Sequence, residues 1–180
     1  VDQSSAARHR HMLGCFLSAL DATRTSLHVI NTGQREPGEL LPLNAWLVAG
    51  AAIESRAHPF FRINPEAGDS SSTRMDFSDN PQCDEDWPVH PFRYTDEHGS
   101  GSELQLAFTF ADYCLLIECL RDHFRLIPPG CDSVALVPIQ EYLAMEPDRA
   151  YQHVPFVLTV DGNGTLHRVE CGQARVAEWG

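Results

Sequence analysis

Residues 104–125 constrain the fold more than any other stretch of the chain. Apolar and polar residues alternate at its start, and this period of two predicts a β-strand with one buried face. Apolar residues then recur at helical spacing, at Tyr113, Leu116, Ile117, Leu120 and Phe124. The pattern predicts a central strand that runs directly into the helix covering the sheet, with Leu116, Ile117 and Leu120 buried on one helix face.

Two polar residues mark the point where this central helix is expected to begin. Thr109 and Asp112 stand three residues apart, which is a loose form of the capping box that satisfies the first free N–H groups of a helix. The other sides of the predicted helix carry Ala111, Glu118, Asp122 and Arg125. The helix is predicted to end before the Pro-Pro-Gly sequence at 128–130.

The rest of the chain mixes helices with short strands. Helices are predicted after a cap at Ser4 or Ser5, at 43–55 with Asn44 as cap, and at 137–145. The first helix has an apolar stripe of Met12, Leu13, Phe16, Leu17 and Leu20. Strands are predicted at 26–30 and 59–63, with hairpins pairing 90–95 with 103–110 and 155–160 with 165–171. Because the predicted helices and strands do not alternate in a regular βαβ rhythm, their order along the chain predicts an α+β fold. In this fold a mixed sheet of hairpins is covered by the central helix and two or three further helices. The alternative is an α/β fold.

The length of the chain and one polar segment decide the expected domain organisation. A chain of 180 residues fits a single domain, 1–180. Residues 64–88 are rich in Ser, Gly, Pro and acidic side chains, so they are predicted to form a mobile acidic loop. Because Asp76, Asp79, Asp84 and Asp86 do not follow the spacing of a calcium-binding loop, no metal site is predicted there.

Composition excludes several classes of function. The chain has 25 acidic and 13 basic residues, a formal charge of −12, which disfavours nucleic acid and anionic membranes as partners. This charge suits a basic protein partner, and the alternative is an acidic surface that serves solubility alone. All the basic residues are Arg. Without Lys the chain supplies neither a Schiff-base or pyridoxal phosphate lysine nor a Walker P-loop. With no run of eighteen apolar residues and no signal-peptide pattern, a cytoplasmic protein without a membrane span is expected.

Cysteine and histidine residues give no recognisable site. The six cysteines are scattered without a C-x-x-C motif, so reduced thiols are expected. On a helix Cys114 and Cys119 would point about 140° apart, so they would not share an ion. His9 and His11, two residues apart, would face away from each other. No catalytic, cofactor-binding or metal-binding residue is therefore assigned, and a Cys–His or carboxylate site assembled in space stays open.

Residues 52–65, A-I-E-S-R-A-H-P-F-F-R-I-N-P, resemble a segment of the pyruvate:ferredoxin (flavodoxin) oxidoreductases and their large fused relatives. In that family a helix reading roughly A-V-x-S leads into P-L-x-R-Y-N-P just after the thiamine diphosphate domain. Residues 108–113 and 154–161 are similar to pieces that follow it in some fused members. The resemblance covers roughly residues 25–170.

The departures from that family concern its cofactors. Residues 31–34, N-T-G-Q, lack the second Gly of the family's N-T-G-G-Q, and the G-D-G signature and the cluster cysteines are absent. No catalytic or cofactor residue is therefore carried over, and no cofactor is expected. The resemblance implies an accessory, non-catalytic domain that packs against a catalytic partner or the remainder of a larger chain. The alternatives are a stand-alone enzyme with a Cys–His or carboxylate site, and an unrelated ligand- or protein-binding module.

Overall fold

The computed structural model describes residues 1–33, 42–96 and 98–172, with the backbone alone at 42 and 43. The chain divides into two units, Val1–Asp86 and Trp87–Gly180, with the boundary inside the 64–88 segment. Helices and strands are mixed in both, in three small sheets, which confirms the α+β class. The single domain expected from the sequence stays a prediction.

The first unit is a four-stranded sheet with helices packed against it. Its strands, in the order β2-β1-β3-β4, are β1 (Asp2–Ser5), β2 (His28–Asn31), β3 (Phe61–Ile63) and β4 (Met75–Asp76). β2 runs parallel to β1, whereas β3 is antiparallel to both β1 and β4. The helices are α1 (His9–Leu20), α2 (Pro42–Glu54) and the one-turn α3 (Ser71–Arg74). The short elements α3 and β4 lie inside the segment predicted as a loop, whose mobility stays a prediction.

The two long helices of this unit cover opposite faces of the sheet. Ser4 and Ser5 are consecutive in β1, so their side chains point to opposite faces. Ser4 Oγ lies 3.1 Å from Nδ1 of His11 in α1, and Ser5 Oγ donates a hydrogen bond of 3.5 Å to the carbonyl of Ala49 in α2. The buried face of α2 consists of Ala45, Ala49, Ala52 and Ile53.

The beginning of the chain differs from the sequence prediction in two ways. Ser4 and Ser5 lie in β1 and do not cap a helix, because α1 begins at His9. The predicted apolar stripe of α1 is largely exposed, and the buried residue of the helix is Cys15. Buried Asp2 and Ser4 require polar partners, so α1 turns a face containing His11 toward β1. Asn44 is not a cap either, since α2 begins at Pro42.

The second unit contains a hairpin and a mixed four-stranded sheet. The hairpin joins β5 (Val89–Thr95) to β6 (Gly101–Ala107). The sheet, in the order β7-β10-β9-β8, contains β7 (Phe124–Leu126), β8 (Leu136–Pro138), β9 (Val154–Val160) and β10 (Leu166–Cys171). The helices are α4 (Phe110–Leu115), a 3₁₀ helix (Glu118–His123), α5 (Ile139–Leu143) and α6 (Pro147–Ala150). The two predicted hairpins are confirmed, and the helix predicted at 137–145 begins only after Pro138.

The second unit has its own apolar core. Its buried members are Ala111, Val137, Ile139, Tyr142, Ala150, Val157 and Cys171. Burial raises the pKa of the Cys171 thiol to about 12, so this cysteine stays protonated and serves as a small packing residue. The core therefore draws on α4, α5 and α6 together with β8, β9 and β10.

The prediction of one long central helix is wrong. α4 ends at Leu115, and the chain continues through the separate 3₁₀ helix into β7. Arg121 Nε donates a hydrogen bond of 2.9 Å to the carbonyl of Leu115, one of the acceptors left free where α4 ends. Because the helical period stops there, Leu116 is 45% exposed, although Ile117 is buried as predicted with 4% exposed. Leu120 is half-buried, and Ala111, which was placed outside the core, is buried.

The predicted start of α4 is confirmed. The backbone N–H and the hydroxyl of Thr109 both donate to Asp112 Oδ2, at 2.8 and 2.7 Å. Thr109 is fully buried, so both donors depend on this carboxylate. Burial also raises the pKa of Asp112.

Asp112→Ala is expected to destabilise the chain by about 1–3 kcal/mol, because it leaves the two buried donors of Thr109 without an acceptor. Asp112→Asn is expected to lose clearly less, since its amide oxygen still accepts hydrogen bonds. Urea unfolding followed by circular dichroism measures both values, with the exposed Asp122→Ala as control. Equal losses for Asp112→Ala and Asp122→Ala would show that the cap contributes nothing.

Candidate functional site

A cleft of about 500 Å³ lies in the first unit, where β1 and β2 begin and α1 ends. This volume falls in the range of small-molecule sites. The polar groups facing it include the side chains of Asp2, Cys15, Ser18, Arg24, His28 and Arg62. Because carboxylates, imidazole and guanidinium groups are mixed, the cleft does not have a single sign of charge.

Asp2 and His28, which line this cleft, belong to a connected set of polar side chains. Asp2 and His28 are partners in the parallel register of β1 and β2, and His28 Nδ1 lies 2.5 Å from Asp2 Oδ1. The pair is close enough for an ion pair when the imidazole is protonated, but it lacks hydrogen-bond alignment. Ser4 Oγ donates to Asp2 Oδ2 at 3.1 Å and lies equally far from His11 Nδ1.

Cys15 and His11 are the Cys–His pair that α1 brings together. The thiol lies 3.9 and 3.8 Å from the two ring nitrogens of His11. Burial raises the pKa of Cys15, with a further increase from nearby Asp2, and burial lowers the pKa of His11. Both groups are therefore held in their neutral forms, whereas a nucleophilic cysteine requires a lowered pKa.

The order of groups in the cluster also differs from that of an activated serine. In a catalytic triad the imidazole stands between the hydroxyl and the carboxylate, so that it removes the hydroxyl proton. Here the hydroxyl of Ser4 stands between Asp2 and His11. The arrangement links α1 to β1 and satisfies buried polar groups, and we assign no nucleophile to it.

Arg62, the cross-strand partner of Asp2 in β3, also lines the cleft. Its guanidinium donates a 3.4 Å hydrogen bond to Ser18 Oγ and lies 3.8 Å from Asp76 Oδ2. Hydrogen bonds from Ser78 lower the pKa of Asp76, with a smaller contribution from Arg62. Such exposed ion pairs are worth about 0–1 kcal/mol, so Arg62 is weakly held.

The cysteine and histidine residues singled out in the sequence analysis do not come together in one site. Cys114 is buried and Cys119 is exposed. His9 is exposed, whereas His11 is half-buried against β1. Within 1–33, 42–96 and 98–172, no three His, Cys, Asp or Glu residues are placed to hold a metal ion.

Over the same ranges, no helix combines the length and apolar character required to cross a membrane.

The sequence reasoning missed the cluster of Asp2, Ser4 and His28. Asp2 and His28 are brought together by the parallel pairing of two four-residue strands joined through α1. The polar residues at positions 2 and 4 alternate as in a β-strand, and this was the available sequence signal. The same residues fit the start of a helix equally well. Only the pairing of β1 with β2 distinguishes the two interpretations.

An exposed apolar surface is the second candidate site of this unit. Four residues of α1, which we call the α1 stripe, are between 38% and 82% exposed: Leu13, Phe16, Leu17 and Leu20. They are spaced i, i+3, i+4 and i+7, so they form one continuous row on the helix. A helix normally turns such a row toward the protein core, and an exposed contiguous apolar patch is typical of an interaction site.

The edge strand β2 is also apolar on both faces. Ile30 is paired with Ser4 and faces α1, whereas Val29 is paired with Gln3 and faces the α2 side. Their side chains are 37% and 45% exposed. Within the described residues, no strand pairs with the outer edge of β2. β2 thus resembles an interior strand of a parallel sheet, where both faces are covered.

Comparison with protein-family models, curated proteins and solved structures finds no match to this chain. The resemblance to the oxidoreductase family therefore remains a prediction. Residues 31–33, part of the N-T-G-Q sequence that departs from that family, follow one another at the end of β2, where the N–H of Gly33 donates a 2.8 Å hydrogen bond to Asn31 Oδ1.

Proposed function

We propose that this chain is an accessory, non-catalytic domain that packs against a catalytic partner, a thiamine-dependent 2-oxoacid:ferredoxin oxidoreductase or the remainder of a larger chain of that kind. The observation that carries the proposal is the outer edge of β2, with which no strand of the described residues pairs, in a strand with apolar side chains on both faces. The sequence resemblance supplies the class of partner.

The composition of β2 supports an interface at this edge. Exposed edge strands are usually protected by charged residues, Pro or bulges against pairing with other chains. β2 reads His-Val-Ile-Asn and has none of these protections. A partner strand that adds to β2 would bond the backbone groups on its outer edge, with which no described strand pairs, and the partner would cover Val29 and Ile30 on both faces.

The chemistry of the cleft supports a non-catalytic role. Cys15 and His11 are both held in their neutral forms, and Ser4 contacts the carboxylate directly. A nucleophilic cysteine would require a lowered pKa, and an activated serine would require the imidazole between its hydroxyl and the carboxylate. The polar cluster therefore stabilises the start of β1. The exposed edge of β2 is the surface through which the chain would bind its partner.

Isothermal titration of the chain with the oxidoreductase from the same source tests this proposal. Saturable binding is expected, and Ile30→Lys is expected to weaken it at least about tenfold, because a charge would be buried in the new sheet contact. Val160→Lys is the matched control, since Val160 is also a strand residue, equally exposed and in the second unit. Equal binding by the wild type and Ile30→Lys would contradict a site at β2.

Titration of the isolated chain with Mg²⁺ and thiamine diphosphate examines the non-catalytic part of the proposal. No saturable binding and no turnover of a 2-oxo acid are expected, because the sequence lacks Lys and the family's G-D-G motif. Binding near micromolar affinity, roughly −8 kcal/mol, would show that the chain is an enzyme.

A further inference from the structure

We propose that the α1 stripe is the interface of a homodimer, in which a second copy of α1 packs antiparallel across a two-fold axis. By helical spacing the stripe lies on the side of the helix away from His11 and Cys15, which face β1. Phe16 at its margin also contacts the sheet, with its ring centroid 4.5 Å from that of His28. This inference goes beyond the proposed function and does not depend on it, because it concerns α1 and not the edge of β2.

The spacing of the stripe is self-complementary. Leu13 and Leu20 are equally distant from a point between Phe16 and Leu17. An antiparallel copy centred there places Leu13 against Leu20 of the second copy and Phe16 against Leu17 of the second copy. A two-fold interface requires this property, since one patch must fit itself. Leu and Phe at i, i+3, i+4 and i+7 also give the row of side chains that interlocks in helix pairs.

Charges at the two ends of the stripe favour the same orientation. Arg10 lies one turn before Leu13, and Asp21, the residue that ends α1, lies one turn after Leu17; both side chains are exposed. In the antiparallel pair Arg10 is displaced by two residues, about 3 Å, from Asp21 of the second copy. The Arg side chain is long enough to bridge this offset, and symmetry forms the contact twice. A parallel pair would instead bring each charge level with its own copy, so Arg10 and Asp21 would not meet.

The overall charge of −12 does not oppose this contact strongly. Asp21 is the only acidic residue between Asp2 and Glu36, so the acidic side chains lie in other parts of the sequence. Repulsion between exposed charges more than about 8–10 Å apart is largely screened at physiological ionic strength. The apolar contact is therefore the main contribution, and the Arg10–Asp21 pairs select the orientation.

Sedimentation equilibrium across a concentration series tests the dimer. The wild type is expected to shift reversibly from 20.1 kDa to twice that mass. Leu17→Asp is expected to raise the dimer dissociation constant at least about 30-fold, as for a central interface residue. Because Leu17 is exposed in the monomer, circular dichroism and the unfolding midpoint should stay unchanged. Val134→Asp, at an almost fully exposed apolar residue of the second unit, is the control for added charge.

Charge reversal tests the antiparallel orientation. Arg10→Glu and Asp21→Arg are each expected to weaken the dimer about 3- to 10-fold, because each places like charges together twice. The double variant exchanges the signs, and its dimer dissociation constant is expected to return to within about threefold of the wild type.

A chain that is monomeric at every concentration overturns the proposal, as does a dimer that Leu17→Asp leaves intact. A double variant without rescue overturns the antiparallel orientation. Ile30→Lys should leave the dimer unchanged, which separates this result from the test of the β2 edge.

Discussion

Gly33→Ala is expected to destabilise the first unit by about 2–5 kcal/mol. Gly33 has φ of +74°, a conformation that costs other L-residues about 1–2 kcal/mol. A Cβ atom built there would lie 1.8 Å from the carbonyl oxygen of Ala45 and 2.8 Å from the backbone nitrogen of Ala49. Both atoms belong to the backbone of α2, so no side-chain rotation relieves the contact, and overpacking of this kind costs a further 1–3 kcal/mol or so.

Gly14→Ala provides the matched control for this substitution. Gly14 lies inside α1, and a Cβ atom there would meet nothing within 4 Å. The change is expected to stabilise the chain by up to about 1 kcal/mol, because Ala is the better helix former. Chemical unfolding of both variants measures the difference. A Gly33→Ala variant as stable as Gly14→Ala would show that α2 does not approach the turn after β2 this closely.

Features defined by neighbouring residues could be predicted from the sequence. The turn between β9 and β10 depends on Asp161, whose carboxylate accepts the N–H groups of Asn163 and Thr165 at 2.8 and 2.9 Å. The start of α4 depends on Thr109 and Asp112, three residues apart. In both places one side chain satisfies backbone groups within four residues, so the local sequence contains the whole interaction.

Features that depend on distant pairing could not be predicted in the same way. β1 has four residues and exists because it pairs with His28–Asn31 and with β3. Its Ser4 and Ser5 also suit a helix cap, and the local sequence does not decide between the two. The polar cluster of the cleft depends on this pairing, so it was missed together with the strand.

The α1 stripe shows a further limit of sequence patterns. Its spacing correctly predicts a helix with an apolar row, but a pattern does not say what covers that row. Within the described structure the face of α1 that meets β1 is instead the one with His11 and Cys15, and the row is exposed. The same mismatch between an apolar pattern and its exposure occurs at β2, and each mismatch carries one of the two interface proposals.

Ile117→Ala and Leu116→Ala test the break in the predicted central helix. Ile117 is buried, so its truncation is expected to destabilise the second unit by about 2–5 kcal/mol through lost contacts and the cavity left behind. Leu116 is exposed after the end of α4, so its truncation is expected to change the free energy of unfolding by about 0.5 kcal/mol or less. The two residues are neighbours with side chains of equal size, and each variant is the control for the other. Urea unfolding measures both values. A continuous helix would bury both residues on one face and give similar losses, and that result would contradict the end of α4 at Leu115.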